Sequence, residues 1–73
     1  MNMQERLTVA LKNPLKMGYV TYSGHVMTQA ECESYNRYTE EAARPYISEK
    51  ARNYLLDQRH RYFVLISEPE RLS

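Results

Sequence analysis

Apolar side chains in the first twelve residues recur at the spacing of one helical face: Met3, Leu7, Ala10 and Leu11. Asn2 can cap this helix, because its side chain can accept a hydrogen bond from a free N–H group of the first turn. Asn13-Pro14 ends the helix, since the residue before a proline is pushed out of helical geometry. We therefore predict a helix over Met3–Lys12.

The stretch LKMGYVTYSGHVMT that follows is rich in Tyr, Val and Thr, which is typical of β-strands. Ser23-Gly24 lies at its centre, with four strand-like residues on each side, so we predict a β-hairpin with a two-residue turn. In that register Tyr22 faces His25 and Val20 faces Met27. One face has to pack against the helices or another chain, because an isolated hairpin is barely stable in water.

Thr28 and Glu31 form the capping-box pattern T-x-x-E, the sharpest local signal in the chain. Met27 before the cap can pack against Cys32 at the fourth helical position. We predict a helix that runs to about Ala43 and stops at Arg44-Pro45.

The last element begins near Ser48, a good N-cap residue, and contains no glycine or proline before Pro69. Residues 61–67, RYFVLIS, have the composition of a strand, but no turn signal precedes them. We therefore predict one helix to about Ile66, followed by a frayed tail over residues 68–73. The predicted fold is α+β and mainly helical, with the element order αββαα in one domain over residues 1–73.

The last helix carries more apolar side chains than one stripe can hold. At 100° per residue one narrow sector, the predicted core stripe, holds Ile47, Ala51, Tyr54, Leu55, Gln58, Tyr62, Leu65 and Ile66. A second row, at i, i+4, i+7 and i+11, consists of Arg52, Leu56, Arg59 and Phe63. Apolar anchors between arginines match the composition of binding hot spots. The second row is covered by the first helix or the hairpin, by a second copy of the chain, or by a foreign protein.

The composition favours a protein that works by contacting another macromolecule. The chain has 73 residues, ten basic and nine acidic side chains, and seven tyrosines. A domain this small has marginal stability and often self-associates, and its single cysteine excludes an intramolecular disulfide. Tyrosine is enriched at interfaces, because it offers a large, rigid face with a polar tip. The helix that begins at the capping box is mainly acidic and the last helix mainly basic, which suits antiparallel pairing within the chain or across a dimer.

Groups for catalysis or metal binding are sparse. A structural zinc site takes about four Cys or His ligands, and the chain offers only Cys32, His25 and His60, without paired spacing. We expect no enzyme activity, no cofactor and no metal. No run of about 18 apolar residues is present, so we expect no membrane contact, and a lone thiol is typical of the reducing cytoplasm.

The leading hypothesis is a cytoplasmic, homodimeric protein that regulates or inhibits another protein by stoichiometric binding. The predicted anchors are Arg52, Leu56, Arg59 and Phe63, with Tyr46 and the hairpin tyrosines Tyr19 and Tyr22 as further contributors. Small size, many tyrosines and a spare helix face resemble the small regulators that bacteriophages and mobile elements encode. The alternative is a dimeric nucleic-acid-binding transcriptional regulator, in which the basic last helix contacts DNA through Arg52, Arg59, His60 and Arg61. A net charge of +1 argues against that alternative.

Overall fold

The computed structural model describes residues 3–68, which form three α-helices. They are α1 (Met3–Lys12), α2 (Gln29–Ala42) and α3 (Glu49–Ser67). Helix α2 is central: it packs against both other helices, and α1 and α3 do not contact each other. The predicted cap at Asn2 and the predicted tail beyond Glu68 lie outside the described residues.

The predicted helix limits are confirmed to within one residue, because the signals at the helix ends are local. Thr28 Oγ1 accepts a hydrogen bond from the Glu31 N–H at 3.2 Å, and the Glu31 carboxylate accepts one from the Thr28 N–H at 2.9 Å. Ser48 Oγ accepts from the Ala51 N–H at 3.1 Å and starts α3 in the same way. Helix α3 continues through residues 61–67, so this part of the chain is helix rather than strand.

The predicted β-hairpin, and with it the αββαα fold, is wrong. The α1–α2 loop (residues 13–28) contains one isolated antiparallel bridge, between Val20 and Val26, and the described part of the chain contains no strand. The backbone groups that would extend a ladder bond within the loop instead. The Tyr19 N–H donates to the Lys16 carbonyl at 3.1 Å, and the His25 N–H donates to Thr21 Oγ1 at 3.2 Å. Residues 3–68 therefore form a small, mainly helical fold without a sheet.

The turn of this loop has three residues rather than two. The Thr21 N–H donates to the His25 carbonyl at 2.9 Å, which leaves Tyr22, Ser23 and Gly24 between them. Gly24 has φ +91°, the left-handed conformation that a three-residue turn takes at its last position. This shifts the predicted register by one residue, so that Val26 rather than Met27 lies opposite Val20.

The inward face of α3 also differs from the prediction. Tyr54 and Leu65 of the predicted core stripe are 63% and 67% exposed. The side of α3 that packs against α2 is instead centred on Arg59 and Phe63, because Tyr35 and Thr39 of α2 contact these two side chains. The buried apolar core of the described chain is small and consists of Leu7, Met27, Cys32 and Ala42.

Within residues 3–68 no helix has both the length and the apolar character needed to cross a membrane.

Candidate functional site

Arg52, the first residue of the second row, bonds to the C-terminal end of α2. Its Nε donates to the Ala42 carbonyl at 2.9 Å, and its Nη2 donates to the Arg44 carbonyl at 3.3 Å. The last carbonyls of a helix have no partner within the helix and carry partial negative charge. Arg52 supplies both the donors and the positive charge that this end needs. It therefore fixes the corner between α2 and α3.

Arg59 lies half-buried at the middle of the α2–α3 contact. Its Nη1 donates to Thr39 Oγ1 at 2.9 Å, and its Cζ lies 4.9 Å from the centre of the Tyr35 ring. Thr39 is buried, and its hydroxyl also donates to the Tyr35 carbonyl at 3.3 Å. The guanidinium is thus held both by a hydrogen bond and by the face of an aromatic ring.

Phe63 joins three parts of the molecule. Its ring lies edge-on to Tyr35 of α2, with 5.7 Å between the centroids, and 6.1 Å from the ring of Tyr22 at the tip of the α1–α2 loop. Leu56, on the same side of α3, is half-buried. The second row is therefore covered by this chain itself, mainly by α2 and in part by the loop tip, and α1 takes no part.

Tyr46, the remaining predicted contact residue, lies apart from the second row. It is 97% exposed in the connection between α2 and α3. Phe63 lies seventeen residues further along the chain, about four turns of α3 beyond the helix start at Glu49. Tyr46 and Phe63 therefore belong to opposite ends of α3.

Helices α2 and α3 pair antiparallel within the chain, but no ion pair joins them among the described residues. The two arginines of the second row bond to carbonyl oxygens, a hydroxyl and a ring rather than to the carboxylates of α2. The contact thus depends on specific geometry more than on opposite net charge.

At its bridge the α1–α2 loop exposes apolar side chains to water, while Thr21 and Met27 face the interior. Thr21 is 4% exposed, whereas Val20 and Val26, which face each other across the bridge, are each 57% exposed. We call the exposed set the apolar loop surface; its members are Met17, Tyr19, Val20, Tyr22 and Val26. The prediction named the loop tyrosines as contributors but missed the pair of valines, because the two-residue turn placed Val20 and Val26 on different faces.

Three contacts hold the loop in place. Asn36 of α2 clamps its start, since its Oδ1 accepts from the Leu15 N–H at 3.0 Å and its Nδ2 donates to the Leu15 carbonyl at 2.9 Å. At the tip, the Ser23 hydroxyl donates to the Ser67 carbonyl at the end of α3. Near the end of the loop, His25 Nε2 lies 2.8 Å from a carboxylate oxygen of Glu31. The apolar loop surface is therefore presented on a fixed backbone.

The titratable groups beside the capping box have structural partners. The backbone N–H of Thr28 and then the His25 ring bond to the Glu31 carboxylate and lower its pKa from the usual value. Burial raises the pKa of the Cys32 thiol, and the neighbouring Glu31 charge adds to this. His25 thus contacts a carboxylate that caps a helix, and Cys32 is a buried thiol with little thiolate character at neutral pH.

No three His, Cys, Asp or Glu side chains within residues 3–68 are grouped so that they could hold a metal ion. Comparison of the chain with protein-family models, with curated proteins and with solved structures finds no match. Function therefore has to be argued from the surface of the chain itself.

Proposed function

We propose that the protein is a small, non-enzymatic regulator that acts in the cytoplasm by stoichiometric binding to another protein. The apolar loop surface is the contact site that we favour. The second row of α3 supports this surface, because Phe63 contacts Tyr22 and the end of α3 accepts the Ser23 hydroxyl.

One observation carries the proposal: the loop buries Thr21 and exposes Val20 and Val26. Exposed valines are ordinary when they are scattered singly, but these two face each other across a bridge, and three more apolar side chains lie within the same loop. Covering a valine side chain contributes about 1.5–3 kcal/mol. The contacts at Asn36, Ser23 and His25 order the loop in advance, which lowers the entropy that binding has to offset.

The backbone of the bridge indicates what the partner offers. Val20 and Val26 form a non-hydrogen-bonded pair, so their N–H and C=O groups point away from each other toward the two edges of the loop. These four groups have no partner in the described part of the chain. An extended peptide segment with apolar side chains fits this surface. Its backbone can form hydrogen bonds with the unpaired groups at one edge of the loop while its side chains cover a valine.

The nucleic-acid alternative remains a prediction, and the contacts of α3 make it the weaker one. Arg52 and Arg59 bond to α2, and Arg61 Nε lies 2.8 Å from the Asp57 carboxylate. These are three of the four side chains that the alternative assigned to DNA, and His60 is the fourth. Phosphate contacts would have to compete with these internal bonds.

The test replaces the two valines by threonine, which keeps the shape and the β-propensity but adds a hydroxyl. Val20→Thr/Val26→Thr should weaken partner binding by about 2–4 kcal/mol, because each site loses a methyl contact and desolvates a hydroxyl. This corresponds to a loss of roughly 30- to 1,000-fold in affinity. The measurement is quantitative affinity capture from a bacterial lysate with mass spectrometry, followed by calorimetry with the partner so found.

Val9→Thr is the matched control, since Val9 is a similarly exposed valine on α1, outside the loop. A partner that depends on the loop is lost by the double variant and retained by Val9→Thr. Equal capture by all three proteins, with native circular dichroism for each, would refute the proposed site. Binding of random duplex DNA at low salt, lost on Arg61→Ala, would favour the alternative instead.

A further inference from the structure

The side of α3 that faces away from α2 carries a regular row of exposed side chains. Its residues follow alternating steps of four and three, the spacing of a coiled-coil seam. We call this row the outer seam, and it consists of Lys50, Tyr54, Asp57, Arg61 and Val64 of α3 and of Glu68, the residue that follows the helix. Tyr54 is exposed and Val64 half-buried, and Leu65 beside them is also exposed. Neither α1 nor α2 covers this row, since α1 does not contact α3 and α2 packs against the Arg59 side of α3.

The outer seam is complementary to itself in the antiparallel direction. Its six residues form three pairs, and every pair is centred on the position of Arg59. Lys50 pairs with Glu68 and Asp57 pairs with Arg61, which are both opposite charges. Tyr54 pairs with Val64, which are both apolar. When the helix meets its own copy about a two-fold axis at position 59, opposite charges therefore face each other and apolar side chains face each other in all three pairs.

We propose that two copies of the chain associate through the outer seam, with the two α3 helices antiparallel. In antiparallel coiled coils an a position of one helix lies opposite a d position of the other, and the three pairs obey this rule. The seam spans about 27 Å along the helix axis. A two-fold interface uses the same patch on both copies, so each of the three pairs occurs twice. This surface is separate from the apolar loop surface and does not depend on the proposed partner.

The pair at the centre of the seam is Asp57 and Arg61. Within one chain these residues already bond, with 2.8 Å between Nε and the carboxylate, and both side chains are more than half exposed. Each retains free hydrogen-bonding positions, because a carboxylate accepts more than one bond and a guanidinium has five N–H donors. Four alternating charges then meet at the two-fold axis. Charge pairs of this kind set the register and direction of helix pairing.

The experiment compares the wild-type chain with Asp57→Arg and Arg61→Asp by sedimentation equilibrium over a wide range of concentrations. The wild-type chain should form a dimer, and its dissociation constant should rise as salt is added. Each variant alone places like charges at both central contacts, so its dissociation constant should rise at least tenfold. An equimolar mixture of the two variants should form a dimer again, because every cross-chain contact then joins opposite charges.

The mixture also separates association from folding. Both variants lose the bond between residues 57 and 61 within the chain, and mixing does not restore that bond. Dimer that returns on mixing therefore comes from contacts between chains. Circular dichroism establishes that each variant is folded, and Lys50→Glu with Glu68→Lys provides a second complementary pair for the ends of the seam. Glu40→Arg, on the exposed surface of α2, makes the same charge change as Asp57→Arg and should leave the dimer unchanged.

Any one of the following results would overturn the proposal: the wild-type chain is a monomer at every concentration, the single variants form dimers as strong as the wild-type dimer, or the mixture stays monomeric. Loss of the dimer in Glu40→Arg would likewise assign the effect to net charge rather than to the outer seam.

Discussion

Arg59→Ala distinguishes a contact residue for a foreign partner from a residue that holds the fold together. The second-row hypothesis from the sequence expects this variant to keep its fold and lose partner binding. The structure places the guanidinium between buried Thr39 and the Tyr35 ring, so we expect the variant to lose stability.

The magnitude follows from the two contacts. A hydrogen bond from a charged donor contributes about 1.5–3 kcal/mol, and an arginine over an aromatic ring contributes about 0.5–1 kcal/mol at an exposed site. Arg59 is half-buried, and the Thr39 hydroxyl keeps its bond to the Tyr35 carbonyl in the variant. We therefore expect a loss of about 2–3 kcal/mol in the free energy of unfolding, which lowers Tm by roughly 10–20 °C in a domain of this size.

The assay is urea and thermal unfolding followed by circular dichroism. Arg59→Met is the matched variant, since it retains an apolar side chain against Tyr35 and removes only the charge and the donors. Thr39→Val removes the acceptor, and a double-mutant cycle with Arg59→Met isolates the coupling between the two side chains, which we expect to be about 1–2 kcal/mol. A Tm for Arg59→Ala within experimental error of the wild-type value, or a coupling free energy of zero, would refute the assigned role.

Four further outcomes follow from particular residues. Phe63→Ala should cost about 2–3 kcal/mol in urea unfolding, because its ring contacts Tyr22 and Tyr35; an unchanged midpoint would contradict the packing. Gly24→Ala should cost about 1–2 kcal/mol, since φ is +91° there, although the space around a Cβ is open; Gly24→Asn should cost less. Glu31 has a lowered pKa in the folded chain, so its contribution to stability is present at neutral pH and is lost as the pH falls below about 4. The advantage of wild type over Glu31→Gln in urea unfolding should therefore shrink as the pH falls below about 4. Cys32 should react slowly with a thiol reagent in the folded chain and rapidly in urea, because burial raises its pKa; equal rates in both would contradict the buried position.

The contacts of the second row show that one sequence pattern can belong either to a binding hot spot or to a contact between two helices of the same chain. Arginines between apolar residues are typical of hot spots, and the same spacing serves a helix that bonds to the end and the rings of its neighbour. The pattern alone does not distinguish the two, because the difference lies in the facing residues. Tyr35 and Thr39 of α2 supply the ring and the hydroxyl that Arg59 contacts. The valine pair of the apolar loop surface was missed for a related reason, since exposure depends on which side of the loop meets the helices.

Helix limits were determined by the sequence alone, because caps and breakers act within one turn. Thr28 and Glu31 start α2, Ser48 starts α3, and Pro14 follows the end of α1; each signal requires only residues that are near neighbours in the chain. These elements are correct to within one residue.

Two features were decided only by the tertiary structure. Gly24 suits the last position of a two-residue or a three-residue turn, and the choice depends on Thr21 and Met27 being buried together. Helix α3 has apolar residues around more than half of its circumference, so its inward side depends on the surface that α2 presents. The sequence permits two turn lengths for the loop, which differ by one residue in register. It also permits two orientations of α3, which differ by a rotation about the helix axis. Long-range packing selects between them, because only there do the alternatives differ in the area they bury and the bonds they form.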